Sequence, residues 1–177
     1  ADPRRVDTAI RRLLLAHYVV LGFGGLPLLY MGDEIALLND YSYADDPEHA
    51  GDNRWVHRPR MPWELVERRE VPGTVEHRVW SALRHAVRVR SELVAMHAGV
   101  EPDLLEPVNS AVFAVQRRHP ASTLVGLYNV TEHHQWWPRW AVPIEGELHD
   151  ELRGGPAPGD VNGLRLGPYD ALWLTAR

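Results

Sequence analysis

The sequence contains no cysteine. That absence removes disulfides, thiolate nucleophiles and cysteine-based metal sites together, and it leaves the redox compartment undetermined. Lysine is missing as well, so all nineteen basic residues are arginine. Set against twenty-four acidic residues they leave a formal charge of −5 and a pI near 6.0, a balance that offers nucleic acid no electrostatic footprint. Long hydrophobic runs are also lacking. The longest, Val19 to Met31, is broken by three glycines and a proline and is too short to span a bilayer. A secretory leader is not read in RRLLLAHYVV, because His17 and Tyr18 fall in its would-be apolar region and no small-residue cleavage pattern follows. The chain begins at Ala1 rather than methionine, and processing or derivation from something longer is expected.

What remains is patterned. Val6, Ala9, Ile10, Leu13 and Leu14, with His17 continuing the row, recur at helical spacing from Arg4 to about Leu21. Gly22, Gly24 and Gly25 end that helix. Leu26 to Tyr30 is a short apolar run bounded by glycines, the pattern of a strand buried on both faces in a parallel sheet. Residues 32–62 form a polar connection of about thirty residues, a length more often functional than idle in a compact domain. A second helix is expected from about Thr74 to Met96, with Val75, Val79, Leu83, Ala86, Val87 and Leu93 buried. Beyond Gly99, Ala111–Arg117, Thr123–Val130, Trp136–Val142, Glu147–Asp150 and Ala171–Ala176 read as short strands between turn clusters. The fold class is therefore α/β plus all-β, with a boundary at about residue 98 and a small antiparallel β-sandwich over 98–177.

Candidate chemistry is sparse. Gly22-Phe-Gly-Gly25 precedes its strand instead of following it, so it is not a dinucleotide fingerprint, and no cofactor is implied. Asp33 and Glu34 sit at the carboxyl end of the expected strand, where α/β folds gather active-site groups, yet adjacent carboxylates diverge. Hydrogen bonds from loop amides or a pairing with arginine are the better reading for each. His133-His134 and His149-Asp150 lack the partner spacing of a metal or triad site. Trp136, Trp137 and Trp140 fit a sugar-stacking platform or, more often at such spacing, alternate core positions. The densest segment is GDNRWVHRPRMPW, residues 51–63, with three arginines, a histidine and two tryptophans. Pro59 and Pro62 make it a loop. On composition alone, stacked arginine and tryptophan covering a surface is the better reading; a ligand contact is the other.

Taken together, GGLPLLYMGDEIALLNDYSY (24–43) and GDNRWVHRPRMPW resemble the end of the catalytic barrel in the α-amylase superfamily, glycoside hydrolase family 13, and within it amylosucrases most of all. The strand followed by GDE is shared across the superfamily; LNDYSY followed by DNRWVHRP is specific to the amylosucrase and sucrose hydrolase branch. The similarity runs on to PYDALWLTA and so covers essentially the whole chain. It implies that residues 1–97 are the terminal portion of a (β/α)8 barrel, its last strand and flanking helices, followed by the family's C-terminal β domain over 98–177. It further implies a retaining enzyme that cleaves sucrose through a covalent glucosyl-enzyme and passes glucose to an α-1,4-glucan or to water.

The two carboxyl groups such chemistry needs lie about 5 Å apart. In the family they stand upstream of the stretch that Ala1 begins, as does a third aspartate. This chain is then a C-terminal fragment, inactive alone, with no catalytic residue and no metal ligand of its own. Its partners would be sucrose and α-glucan substrates and the missing N-terminal barrel portion of the same protein, with neither nucleic acid nor membrane. Arg54 matches the arginine that in amylosucrases pairs with an aspartate near the start of the barrel and closes the glucosyl subsite. Trp55, His57 and Arg58 would support that loop, with Asp33 and Glu34 supporting the segment before it. RPRMPW is also similar to an element of α-glucosidases and trehalose synthases, where a glutamine stands in place of Pro62. A rival of another class is a stand-alone carbohydrate-binding module built on the three tryptophans. Against it stands the lone parallel strand at 26–30, which would expose a buried-type surface in this chain.

Overall fold

The computed structural model describes residues 2–177. The chain forms two compact units, one running to Leu28 and resuming at Ala82–Arg177, the other Leu29–Ser81. In the first unit, helix α1 spans Pro3–Phe23. The Asp2 carboxylate accepts from the Arg4 amide at 3.0 Å, and Pro3 occupies the first turn, where its missing N–H costs nothing. Helix α2 spans Trp63–Glu67, and helix α3, Val75–Glu92, starts after Thr74, whose hydroxyl accepts from the His77 amide at 3.1 Å. No helix among the described residues is long and apolar enough to cross a membrane.

Nine strands follow among the described residues: β1 (Pro102–Leu104), β2 (Val112–His119), β3 (Ser122–Asn129), β4 (Gln135–Pro138), β5 (Leu148–Asp150), β6 (Gly155–Pro156), β7 (Gly159–Asp160), β8 (Gly163–Leu166) and β9 (Ala171–Ala176). They make a six-stranded sheet in the order β1-β2-β3-β9-β5-β6 and a three-stranded sheet in the order β4-β8-β7. Every pair is antiparallel. Because side chains alternate along a strand, β3 and β9 split their residues between two cores. Val125, Leu127, Leu172 and Leu174 pack with Trp137, Leu164 and Leu166 between the sheets. Leu124, Tyr128, Ala171 and Trp173 point the other way, onto Leu15, Leu21, Ala86 and Val89 of the helices. Both faces of these central strands are covered, so their sequences are nearly continuous in apolar residues despite antiparallel pairing.

Four expectations are corrected. Leu26–Tyr30 is not a strand; Leu26 is 89% and Leu28 79% exposed. A parallel strand needs neighbours on its edges, and none of the described residues supplies one, so the architecture is α+β with antiparallel sheets. On α1, Ala9 lies outside the core, and the face that packs on the sheet is Leu15, Tyr18, Val19 and Leu21. On α3, Val87 is exposed and Val89 is buried instead. The strand expected over 136–142 stops at Pro138 and gives way to a 3-10 turn, Arg139–Ala141.

Gly22 shows how closely α1 approaches the sheet. A methyl group there would overlap the Tyr128 hydroxyl and touch the Trp173 indole nitrogen. Alanine is the better helix former by roughly 0.5–1 kcal/mol, whereas overpacking a tight core costs about 1–3 kcal/mol. Sterics should win. Gly22→Ala is expected to lower the urea midpoint of this unit with its m-value unchanged.

Beside it, Arg117 is fully buried and donates to the carbonyls of His97 (2.7 Å), Val100 (3.0 Å) and Gly22 (3.4 Å). Arg90 donates to Met96 and Gly25 carbonyls at 2.5 and 2.9 Å. These two guanidiniums tie the end of α1 and the segment after α3 together. Burial, and then the neighbouring Arg90, push the Arg117 pKa down.

Candidate functional site

The residues expected to carry function lie in the second unit, in loops held together by short-range contacts. Asp33 accepts from the Tyr30 amide at 3.1 Å and Glu34 from the Gly32 amide at 2.7 Å. Both carboxylates therefore bond loop amides. The segments 39–43 and 52–58 are joined by the Asp40 amide donating to the Val56 carbonyl at 3.0 Å, and by His57 Nδ1 at 3.2 Å from Asn39 Oδ1. Asp40 in turn accepts from the Ser42 amide (2.9 Å) and hydroxyl (2.6 Å). The hydroxyl bond, then the amide bond, favours the ionised form and lowers the Asp40 pKa.

The DNRWVH residues form a 3-10 turn over Asn53–His57, capped by Asp52. The Asp52 carboxylate accepts from the Arg54 amide at 3.0 Å, then receives a fork from the same residue's side chain, Nε at 2.8 and 3.0 Å and Nη2 at 2.7 Å. One carboxylate thus fixes both the turn and the guanidinium. The Arg54 side chain remains 71% exposed, and its Nη1 edge donates to no described residue. Asp52 is a residue the sequence reading missed. The signal was present as D-x-R with the aspartate at a cap position, where its carboxylate is held next to the amide two residues on.

That fork has a pH signature. Hydrogen bonds from the Arg54 side chain and amide hold the Asp52 carboxyl at about 2, against 3.8 without them. A depressed folded-state value means the contribution is complete above pH 4 and is lost as pH falls through about 2. Carboxyl carbon NMR should show Asp52 titrating with a midpoint near 2. A midpoint near 4 would mean that the fork is not populated.

Next to the fork, Trp55 lies tilted against His49 with ring centroids 3.8 Å apart at 38°, and the Arg58 guanidinium lies 5.7 Å from the Trp55 centroid. His49 Nδ1 is 2.8 Å from Asp46. Asn39, Asp40, Tyr43, His49, Trp55 and Arg58 line an open cavity of about 450 Å³. Trp55 and Arg58 reach it; Arg54 does not. Such a lining offers flat rings and hydrogen-bonding groups of both kinds, a surface suited to a hydroxylated ligand. Among the described residues, no cluster of three or more histidines, cysteines or carboxylates is placed to hold a metal ion.

The three tryptophans divide. Trp137 is fully buried between the sheets, Trp136 is 46% exposed and Trp140 79% exposed. They are neither one platform nor one core stripe. His133 and His134 are exposed, whereas His149 is buried, with Nε2 at 3.0 Å from Arg177 Nη2. Asp150, also buried, receives Arg153 at 2.5 Å and the amides of Leu152 and Trp173. Burial raises its pKa, and the Arg153 hydrogen bond opposes that shift.

Residues 104–175 match the family model described as amylosucrase, C-terminal domain. The glucosylglycerate phosphorylase of Escherichia coli (strain K12) is 28% identical over 172 residues, which cover 92% of this chain and 28% of the relative. The chain therefore spans little more than a quarter of that relative's length. Among solved structures, AmyP in complex with maltose superposes with a TM-score of 0.73 at 17% identity, over 99% of this chain and 36% of that one. The α-amylase of Geobacillus thermoleovorans complexed with acarbose gives 0.62 at 23% identity, over 95% and 33%. At these identities the structural likeness is one of fold.

Proposed function

We propose, from the match of residues 104–175 to the amylosucrase C-terminal domain model, that this chain is the C-terminal portion of an amylosucrase-type enzyme of glycoside hydrolase family 13. The parent would cleave sucrose with retention and transfer glucose to an α-1,4-glucan or to water. In this reading residues 1–97 complete a (β/α)8 barrel, 98–177 form the C-terminal β domain, and the exposed Leu26 and Leu28 await strand neighbours from the missing barrel portion. The catalytic carboxylates lie in that portion, so the 177-residue chain alone releases no fructose from sucrose.

The observation that carries this reading is the Asp52–Arg54 fork. A guanidinium fixed through Nε and Nη2 is oriented before any ligand arrives, and its free Nη1 edge is available to a second carboxylate from the parent. An arginine held between two carboxylates makes a rigid end wall for a pocket that accepts a single glucosyl unit. Trp55, His57 and Arg58 brace the wall, and Asp33 and Glu34 brace the segment leading to it.

The similarity to a glucosylglycerate phosphorylase favours a second reading, in which the same glucosyl pocket serves transfer to phosphate. Sucrose hydrolases, α-glucosidases and trehalose synthases are further relatives within the family. Incubating the intact parent with sucrose, with and without inorganic phosphate, separates the two main readings. Release of fructose together with glucan or glucose in the absence of phosphate supports the amylosucrase type. Glucose phosphate formed from a glucosyl donor, with no fructose released unless phosphate is present, overturns it in favour of phosphorolysis.

A further inference from the structure

We propose that Trp140 and the groove beside it form a second carbohydrate site, on the β domain, that binds α-linked glucan chains. The groove, about 810 Å³, is lined by Arg139, Trp140, Pro143, Glu145, Val161 and Asn162 among others, and all of these lie in one unit.

The segment that presents Trp140 is rigid. Arg139 donates to the carbonyls of Val142 (3.1 Å), Ile144 (2.6 Å) and Gly146 (3.0 Å), and its own amide donates to the Asn162 carbonyl at 2.9 Å. Val142 and Ile144 anchor the segment in the core between the sheets. None of this uses the Trp140 indole, which stands 79% exposed on a backbone that is held in place. A large ring kept in water on a fixed loop is available to a partner, and little loop entropy is lost on binding.

The lining chemistry selects a sugar. An indole face takes the apolar face of a pyranose ring, and the side chains of Asn162 and Glu145, which hydrogen-bond no described residue, are a donor–acceptor amide and an acceptor carboxylate for hydroxyls at its edge. An open groove admits a continuing chain rather than a single enclosed unit. That the chain is α-linked glucose rests on the proposed activity of the parent; the site itself does not.

Native affinity electrophoresis of the 177-residue chain in gels with and without glycogen tests the site without any turnover. Retardation by glycogen should be abolished in Trp140→Ala, corresponding to about tenfold or more weaker binding, and kept in Trp136→Ala. Trp140→Phe should keep part of it, and thermal melts of the two Trp140 variants should coincide with that of the unaltered chain. Unretarded migration of the unaltered chain, or retardation that survives Trp140→Ala, overturns the proposal. So does concentration-dependent dimerisation that Trp140→Ala alone abolishes, which would identify a second copy of the chain as the occupant. Loss of sucrose turnover in the parent would leave these outcomes unaffected.

Discussion

Replacing Arg54 by alanine in the intact parent should lower kcat/KM for sucrose by about 100-fold, the scale on which misplacing a substrate costs rate. Trp136→Ala should leave it within about twofold, as for a surface change remote from chemistry. The difference follows from what each side chain does. Trp136 lies across Gly163 on the small sheet, whereas Arg54 presents a guanidinium whose plane is set by Asp52. Arg54→Lys should recover little, because an ammonium cannot make two parallel bonds to a carboxylate. Asp52→Asn keeps a capping oxygen but removes the charge that holds the fork, and should raise KM more than it lowers kcat. Equal losses in Arg54→Ala and Trp136→Ala would remove Arg54 from the pocket.

Much of the fold was legible because α3 keeps a helical period beside a solvent face, while β3 and β9, covered on both faces, stand out as short apolar runs between turn residues. Helix α3 and strands β2, β3, β5 and β9 lie within a few residues of their expected places. Strands β1, β6, β7 and β8 were not expected: Gly155-Pro156 and Gly159-Asp160 lie in a stretch that reads as a turn, Pro102–Leu104 and Gly163–Leu166 are too short for a period to show, and pairing with neighbouring strands decides their conformation. Leu26–Tyr30 failed for the opposite reason. Its local pattern is that of a buried strand, but strand formation is a property of the neighbours, and the described residues offer none. For the candidate site, loop composition singled out residues 51–63, while the partner of Arg54 was overlooked because Asp52 acts through a bond across two residues that no periodicity reports. Arg117 was hidden by its charge, since nothing in the sequence tells that three backbone carbonyls converge on it.

Trp173→Ala should be the most damaging single change to the described fold. The indole is fully buried, meets Tyr18 edge-on with centroids 6.2 Å apart at 73°, and donates to the Tyr128 hydroxyl at 3.1 Å. Truncating such a ring costs about 3–5 kcal/mol, which in a chain of this size lowers Tm by roughly 6–20 °C. Burial pushes the Tyr128 pKa far up, so its hydroxyl stays neutral at any working pH and the loss should not vary with pH. Trp173→Phe separates the two contributions: it keeps most of the packing but strips the Tyr128 oxygen of its donor, at about 1–3 kcal/mol. The same hydroxyl is what a methyl at position 22 would strike. Gly22→Ala should therefore cost less in a Tyr128→Phe background than alone. Additive losses would show that helix α1 yields to the methyl by shifting, rather than being held against the Tyr128–Trp173 pair.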